Sequence, residues 1–242
     1  MRRRSSEYPS DRSDPLLGFG TTVGKAKTSR HRPRKAPSQA RAVATVDAIL
    51  GATARILVTR GYAALTTNHV ARKAGVSIGT LYEWFPGKEA LVATLVDRHL
   101  ARAESLLGAR AARLAGSALS RSPLELARAL AETMVELHED DPRLHRVLTE
   151  EVPHPPETRA RIRALEERMV EALSALLSAH PRVRAPDAEV AARMIAGLLE
   201  AATHRWATDR SGRPLPRDVL IEELAQMVAA YLTAPRTEAP RA

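Results

Sequence analysis

The chain has 242 residues and no cysteine, which excludes a disulfide scaffold, a thiolate metal site and a cysteine nucleophile. Hydrophobic residues make up 44% of the composition but aromatic residues only 3%, a balance that favours helices over the aromatic-rich strands of a sandwich or barrel. The net charge of +9 lies almost wholly in residues 1–41, which hold 11 basic residues and three acidic ones. This charge favours a polyanionic partner.

Residues 1–39 mix Pro, Ser, Gly and Arg without apolar periodicity, and such a composition predicts disorder. The segment is either a DNA-contacting arm, with salt-sensitive and sequence-independent affinity, or a solvating tail, or an extension from a start codon assigned too early. The basic residues of the arm interpretation are Lys25, Lys27, Arg30, Arg32, Arg34 and Lys35. No apolar run approaches the ~18 to 20 residues of a membrane span, and no apolar stretch follows the first arginines as in a signal peptide. We therefore expect a cytoplasmic protein without a membrane partner.

Helical spacing of apolar residues begins at residue 41 and predicts a first helix that ends at Arg60, before Gly61. A second helix is predicted from an N-cap at residues 66–67 to Ala74, where Gly75 ends it. Ser77 is the N-cap of a third helix, from Ile78 to about Phe85, which the following Pro-Gly pair stops. The sequence thus predicts two short helices around a tight glycine turn.

A longer amphipathic helix is predicted from Lys88 to near Gly108, and five further helical patterns follow at 124–139, 142–151, 157–179, 186–209 and 216–233. The sum is an all-α fold of about nine helices with no convincing strand. The predicted organisation is a disordered basic tail (1–39), a DNA-binding domain (40–102), a helical ligand-binding and dimerisation domain (103–235) and a disordered tail (236–242).

The helix, glycine turn and second helix at residues 65–85 have the order of a helix-turn-helix, in which the second helix enters the DNA major groove. The residues themselves sharpen this prediction: paired threonines at 66–67, Ala-Gly-Val-Ser at 74–77, Thr-Leu-Tyr at 80–82 and Phe-Pro-Gly-Lys-Glu-Ala-Leu at 85–91. Together they strongly resemble the DNA-binding domain of the TetR family of transcriptional regulators. The resemblance covers roughly residues 42–102. Gly51, Leu57 and Trp84 depart from the family pattern.

Ten residues are candidates for DNA binding, some from the resemblance and the others from their side-chain chemistry. Thr67, Tyr82 and Lys88 resemble phosphate contacts of the family. Asn68 suits an adenine edge, Glu83 suits a cytosine amine, and Trp84 would pack on the backbone or a sugar. The first turn of the recognition helix would set specificity, and it comprises Ser77, Ile78, Gly79 and Thr80.

The last two predicted helices are apolar on more than one stripe, so each would pack in its own subunit on one side and against a second copy on the other. This pattern and the resemblance both predict a homodimer through these helices, and hence a pseudo-palindromic operator. The resemblance also implies a pocket for an unknown small-molecule effector, whose binding releases the DNA. Its candidate lining residues are Met134, His138, Met169, Met194 and Trp206, although Met and Trp at helical spacing are more often core residues.

The sequence holds two clusters of potential metal ligands. His138, Asp140, Asp141 and His145 form one, and Glu150, Glu151 and His154 form the other. Neither matches a known ligand spacing, and prolines interrupt both, so we interpret them as surface loops. No catalytic residue, metal site or cofactor is predicted. The expected function is a ligand-released transcriptional repressor. The alternative is a small-molecule-binding helical protein with a vestigial DNA-binding head.

Overall fold

The computed structural model describes residues 32–34, 40–185, 187–213 and 215–235. In these residues the chain forms nine α-helices, one π-helical turn and no strand, so the predicted all-α fold is confirmed. The helices are α1 (Ala40–Arg60), α2 (Thr67–Ala74), α3 (Ile78–Trp84), α4 (Lys88–Ala115), α5 (Pro123–Glu139), α6 (Pro142–Arg146), α7 (Pro156–Ala179), α8 (Ala188–Ala207) and α9 (Arg217–Thr233), and the π-helical turn spans Val147–Glu151. The disorder predicted for residues 1–39 and 236–242 concerns segments outside the described residues, apart from residues 32–34.

The predicted boundaries around the glycine turn are confirmed, with one correction. Gly61 and Gly75 adopt left-handed φ angles of 72° and 70° after α1 and α2, a conformation that favours glycine. The N-cap of α2 is Thr66, whose side chain accepts a hydrogen bond from the His69 backbone N–H. Thr67 is therefore the first helical residue and not the cap.

Helix α4 is longer than predicted, since it passes Gly108 and reaches Ala115. A glycine inside a helix costs only about 1 kcal/mol relative to alanine, and packing outweighs that amount. Glu104, one turn before the glycine, accepts hydrogen bonds from Arg161 and Arg168 of α7 at 2.8 and 3.1 Å. Contacts with α5 and α7 therefore continue the helix where the local sequence signal favours an end.

The buried side chains form two hydrophobic clusters. The first lies among α1, α2, α3 and the start of α4, and includes Ile49, Leu81 and Phe85. The second lies among α5, α7, α8 and α9. Residues from 147 to 152, at and after the π-helical turn, pack into the first cluster although they belong to the second half of the chain. This segment joins the two halves.

Helix α1 is the one described helix that is long and apolar enough to cross a membrane by length and composition. Its apolar residues Ile49, Leu50, Ile56 and Leu57 are buried in the first cluster, at 1% exposure or less. The apolar character of α1 is thus accounted for by the core.

Candidate nucleic-acid interface and effector cavity

Helix α3 has one buried face and one exposed face. Leu81 and Phe85 are buried in the first cluster, whereas Ile78 and Tyr82 are 38% and 40% exposed. Gly75 turns the chain between α2 and α3, and this turn leaves the first residues of α3 on the surface. An exposed short helix held from behind by its own core is the arrangement of a helix-turn-helix.

Hydroxyl groups fix the geometry of the exposed face. The side chain of Ser77 accepts a hydrogen bond from the Thr80 backbone N–H at 2.9 Å and lies 2.9 Å from the Thr80 hydroxyl. The Tyr82 hydroxyl lies 3.0 Å from the Thr67 Oγ1, which links α3 to the first residue of α2. These contacts join four of the predicted phosphate or base contacts in two hydrogen-bonded pairs.

Basic groups border this surface. Arg72 and Lys73 are exposed on α2. Lys88 is half-buried, and its Nζ lies 4.6 Å from the centroid of the Tyr62 ring, a cation–π contact. The Arg34 backbone N–H donates to the Trp84 carbonyl at the end of α3, at 2.7 Å, and so places the exposed Arg34 beside that helix. The other arm residues are outside the described part of the chain, except Arg32.

A cavity of about 680 Å3 lies among α4, α5, α7 and α8. Its walls are largely apolar, and include Leu107, Met134, Met169 and Leu173. Its polar groups are Glu104, Arg110, Arg168 and Thr133. Apolar walls with a few polar groups, at this volume, are typical of small-molecule sites.

Apolar side chains also remain exposed on α8 and α9. Val190, Met194 and Leu198 are 52%, 61% and 37% exposed and recur every four residues along α8. On α9, Val219 and Met227 are 40% and 53% exposed, eight residues apart. The opposite side of each helix is buried in the second cluster. Both helices are therefore apolar on two sides, as the sequence predicts for an interface.

Two family models match the chain. The model "Bacterial regulatory proteins, tetR family" matches residues 49–95, and "Tetracyclin repressor-like, C-terminal domain" matches residues 122–232. The first match contains the helix-turn-helix, and the second contains α5 to α9. The chain belongs to the TetR family.

Two curated relatives agree with this assignment. The chain is 36% identical over 85 residues to the HTH-type transcriptional regulator EthR of Mycolicibacterium smegmatis. These 85 residues are 35% of this chain and 38% of EthR. It is 41% identical over 59 residues to the uncharacterised regulator YvkB of Bacillus subtilis, which is 24% of this chain and 31% of YvkB. The chain thus matches less than two fifths of the length of either relative.

Solved structures share the fold over about four fifths of this chain. NalD of Pseudomonas aeruginosa, the secondary repressor of a multidrug efflux pump, superposes with a TM-score of 0.61 and 20% identity over 81% of this chain and 99% of its own. AibR was solved with isovaleryl coenzyme A and operator DNA. It superposes with a TM-score of 0.56 and 22% identity over 79% of this chain and 100% of its own. At these identities the likeness shows the fold.

The predicted DNA-contact residues of this TetR family chain lie on the surface, with one exception. Nine of them are exposed or half-buried: Thr67, Asn68, Ser77, Ile78, Gly79, Thr80, Tyr82, Glu83 and Lys88. Trp84 is only 8% exposed and belongs to the first cluster. The expectation that Trp84 packs on the DNA backbone is therefore corrected, because its ring fills the core. The contacts of the other nine with DNA stay a prediction.

Two of the five predicted effector residues line the cavity and three do not. Met134 and Met169 line the cavity. Met194 is 61% exposed on α8, and the Trp206 indole N–H donates to the Leu215 carbonyl at 2.7 Å. His138 is buried but does not line the cavity. Met194, Trp206 and His138 therefore lie on faces of α8 and α5 that do not line the cavity.

Sequence reasoning missed the polar lining of the cavity and misplaced two histidines. Arg110 and Arg168 gave no signal, because charged residues on long helices are usually solvated. His138 and His145 are 1% and 6% exposed, so their interpretation as surface-loop residues is wrong. The interpretation holds for Asp141, which is exposed and caps α6 through a hydrogen bond from the Leu144 N–H. Asp140 is also exposed, and Glu150 and Glu151 likewise.

Proposed function

We propose that this TetR family member is a transcriptional regulator, not an enzyme, that binds a pseudo-palindromic operator as a homodimer in the cytoplasm. An effector in the cavity would release it, which makes repression the simplest mode of action. The observation that carries the proposal is the exposed face of α3. Its N-cap residue Ser77, Ile78 and Gly79 are all exposed directly after the left-handed Gly75, with the phosphate-contact candidates Thr67 and Tyr82 hydrogen-bonded beside them.

The first turn of α3 would read the base sequence. The surrounding groups would bind phosphates and so fix the position of α3 on the DNA. Gly79 has no side chain, and a Cβ there would meet only the Ser77 Oγ at 3.6 Å, so packing alone does not require glycine. Its absence of a side chain suits a close approach of the backbone to a base edge. The hydroxyls of Tyr82 and Thr67 and the amine of Lys88 suit phosphate oxygens, which fix register without reading sequence.

Replacing Lys88 with alanine (Lys88→Ala), or Tyr82 with alanine (Tyr82→Ala), is expected to weaken DNA binding about tenfold or more at moderate salt, because charge-assisted phosphate contacts are lost in both half-sites. The loss should be equal on operator and scrambled duplexes. The slope of log affinity against log salt should fall by about 0.9 for each phosphate contact that Lys88→Ala removes, whereas Tyr82→Ala removes no charge and should leave the slope unchanged. Fluorescence anisotropy across a salt series measures both, on DNA from upstream of the gene.

The charge-matched control is Arg210→Ala, in the loop between α8 and α9, which should leave affinity and salt slope unchanged. A wild-type slope in Lys88→Ala, or wild-type affinity in Tyr82→Ala, would overturn the corresponding phosphate assignment. Equal and salt-labile binding of the wild-type chain to both duplexes would favour the second candidate, a ligand-binding protein whose head no longer reads sequence. The observation that supports this second candidate function is the cavity.

Effector control would act through α4. This helix begins at Lys88 beside the recognition helix and contributes Glu104 to Leu114 to the cavity. A ligand that prefers a shifted α4 would move Lys88 and the helix-turn-helix with it, and such a preference is all that release requires. The apolar walls favour a mainly apolar effector, and AibR, which has the same fold, was solved with isovaleryl coenzyme A and operator DNA.

Replacing the cavity residue Leu173 with tryptophan (Leu173→Trp) is expected to weaken binding of the apolar fluorescent probe N-phenyl-1-naphthylamine about tenfold or more, since the indole occupies part of the cavity. Titration of the probe against the purified chain measures this. Leu119→Trp adds the same indole at a surface position that is 46% exposed, and it should leave probe affinity unchanged. Equal probe affinity in wild type and Leu173→Trp would place the binding site outside this cavity.

A further inference from the structure

Four histidines from four different helices meet between the two halves of the chain. They are His99 of α4, His138 of α5, His145 of α6 and His204 of α8. His138 and His145 are buried, and the rings of neighbouring members lie 4.7 to 6.0 Å apart by their centroids. Two carboxylates border the cluster, Glu150 and Glu200. Neither the DNA interface nor the effector cavity uses these six side chains, which we call the histidine cluster.

The hydrogen bonds of His138 fix which of its nitrogens is free to bind. Its Nδ1 lies 2.8 Å from the Met134 carbonyl oxygen, which only accepts, so Nδ1 carries the proton and donates. The Thr203 hydroxyl, 3.1 Å away, already donates its proton to the Leu199 carbonyl. The Nε2 of His138 then carries no proton, and its lone pair faces the Glu200 carboxylate, with Oε1 at 3.3 Å. A lone pair and a carboxylate at this distance call for a cation between them, either a proton or a metal ion.

His145 and His204 extend the same arrangement. The His145 Nε2 lies 2.9 Å from the His204 Nδ1. The other nitrogen of each ring has its own partner, because His145 Nδ1 lies 2.9 Å from the His99 Nε2 and His204 Nε2 lies 3.4 Å from a Glu150 oxygen. Ring nitrogens of His138, His145 and His204 all lie within 4.8 Å of one another.

We propose that His138 Nε2, His145 Nε2, His204 Nδ1 and a Glu200 oxygen form a binding site for a divalent transition-metal ion of the Zn²⁺ type. A tetrahedral ion with bonds of about 2.0 to 2.1 Å separates its ligand atoms by about 3.3 Å. The distance of 3.3 Å from His138 Nε2 to Glu200 already matches this edge, and the 2.9 Å between His145 and His204 needs only a small widening.

The second nitrogen of every proposed ligand has an acceptor, which is the outer shell that metal-binding histidines use. His138 Nδ1–H donates to the Met134 carbonyl. His145 Nδ1 lies beside the His99 Nε2, and His204 Nε2 lies beside a Glu150 oxygen. With a metal bound, both nitrogens would carry the proton and donate to these partners, which leaves His145 Nε2 and His204 Nδ1 free for the ion. The three rings come from three helices, so this agreement is not a consequence of local spacing.

The ligand chemistry selects the class of ion. Three imidazoles and one carboxylate suit Zn²⁺, Co²⁺, Ni²⁺ or Cu²⁺, whereas Mg²⁺ and Ca²⁺ prefer oxygen ligands throughout. Burial is the main cause that lowers the pKa of His145 to about 3, and positive charge on His138, His99 and His204 contributes to that shift. The Glu200 side chain is 52% exposed, which gives the ion a path from solvent.

The test is titration of Co²⁺ into the full, untagged chain after removal of metal with a chelator. We expect one Co²⁺ per chain, with the visible absorption bands of a tetrahedral site, and displacement of these bands by Zn²⁺. Glu200→Gln and His204→Gln should each weaken Co²⁺ binding at least about tenfold, and so should the outer variant His99→Gln. Zn²⁺ should also raise the unfolding temperature of the wild-type chain but not of His204→Gln.

The matched control is His69→Gln, which removes a histidine from α2 and should leave Co²⁺ affinity unchanged. Glu200→Gln keeps the shape of a half-exposed side chain, so its folding is not at risk. Absence of tetrahedral Co²⁺ bands would overturn the proposal, and so would wild-type affinity in Glu200→Gln and His204→Gln. Neither readout involves DNA, and the result is therefore independent of the proposed function.

Discussion

Replacing Phe85 with alanine (Phe85→Ala) is expected to lower the free energy of unfolding by about 3 to 5 kcal/mol and to abolish specific DNA binding. Phe85 is 1% exposed and belongs to the core that holds α3 against α1 and α4. Its backbone N–H also ends α3 with a hydrogen bond to the Leu81 carbonyl at 2.9 Å. Domains are stable by only about 5 to 15 kcal/mol, so this loss is a large fraction of the total.

Urea denaturation followed by circular dichroism measures the stability, and anisotropy measures DNA binding. The matched control is Ile78→Ala, which truncates an apolar side chain on the exposed side of the same helix, at 38% exposure. We expect this control to change stability by less than about 1 kcal/mol. If both variants lost equal stability, the division of α3 into a core face and a DNA face would be wrong.

Local signals in the sequence predict most of the secondary structure. Gly61 and Gly75 end helices because each adopts a left-handed φ, and Ser77 begins one by accepting the Thr80 N–H. Such signals act within four residues, so they can be read without knowledge of the tertiary fold. They fail at Gly108, where contacts of α4 with α5 and α7 continue the helix.

The DNA face was predictable because helical periodicity separates it from the core. The same periodicity places Trp84 three residues after the buried Leu81, and this signal predicts a core residue at a position for which a DNA contact was also expected. At Trp84, helical spacing predicts the observed burial, and the expected DNA contact does not.

The cavity and the histidine cluster depend on which helix faces meet, which no local pattern specifies. His99 and His204 stand far apart in the chain, and each alone has the appearance of an ordinary helix residue. Only the packing of α4, α5, α6 and α8 brings their rings within hydrogen-bond distance of His145. Ligand motifs are recognised by short, fixed spacings between neighbouring ligands, and histidines from four separate helices do not show such a spacing.

Replacing Met194 and Met227 together with glutamate (Met194→Glu with Met227→Glu) is expected to convert the proposed dimer to a monomer. Both side chains are more than half exposed, on α8 and α9. In a two-fold interface each position recurs on the second copy, so the variant places four carboxylates in a desolvated apolar surface. Sedimentation velocity measures the change in mass.

Loss of the dimer should weaken operator binding by about 10² to 10⁴, because the second recognition helix no longer binds as part of the same molecule. Binding to a single half-site should stay as it is in the wild-type chain, since Met194 and Met227 lie outside α2 and α3. Leu119→Glu introduces one such carboxylate per chain at an exposed leucine between α4 and α5 and is expected to remain dimeric. A double variant that stays dimeric and binds the operator normally would place the interface on another surface. A monomer with wild-type operator affinity would show instead that one recognition helix suffices, and would remove the reason to expect a pseudo-palindromic site.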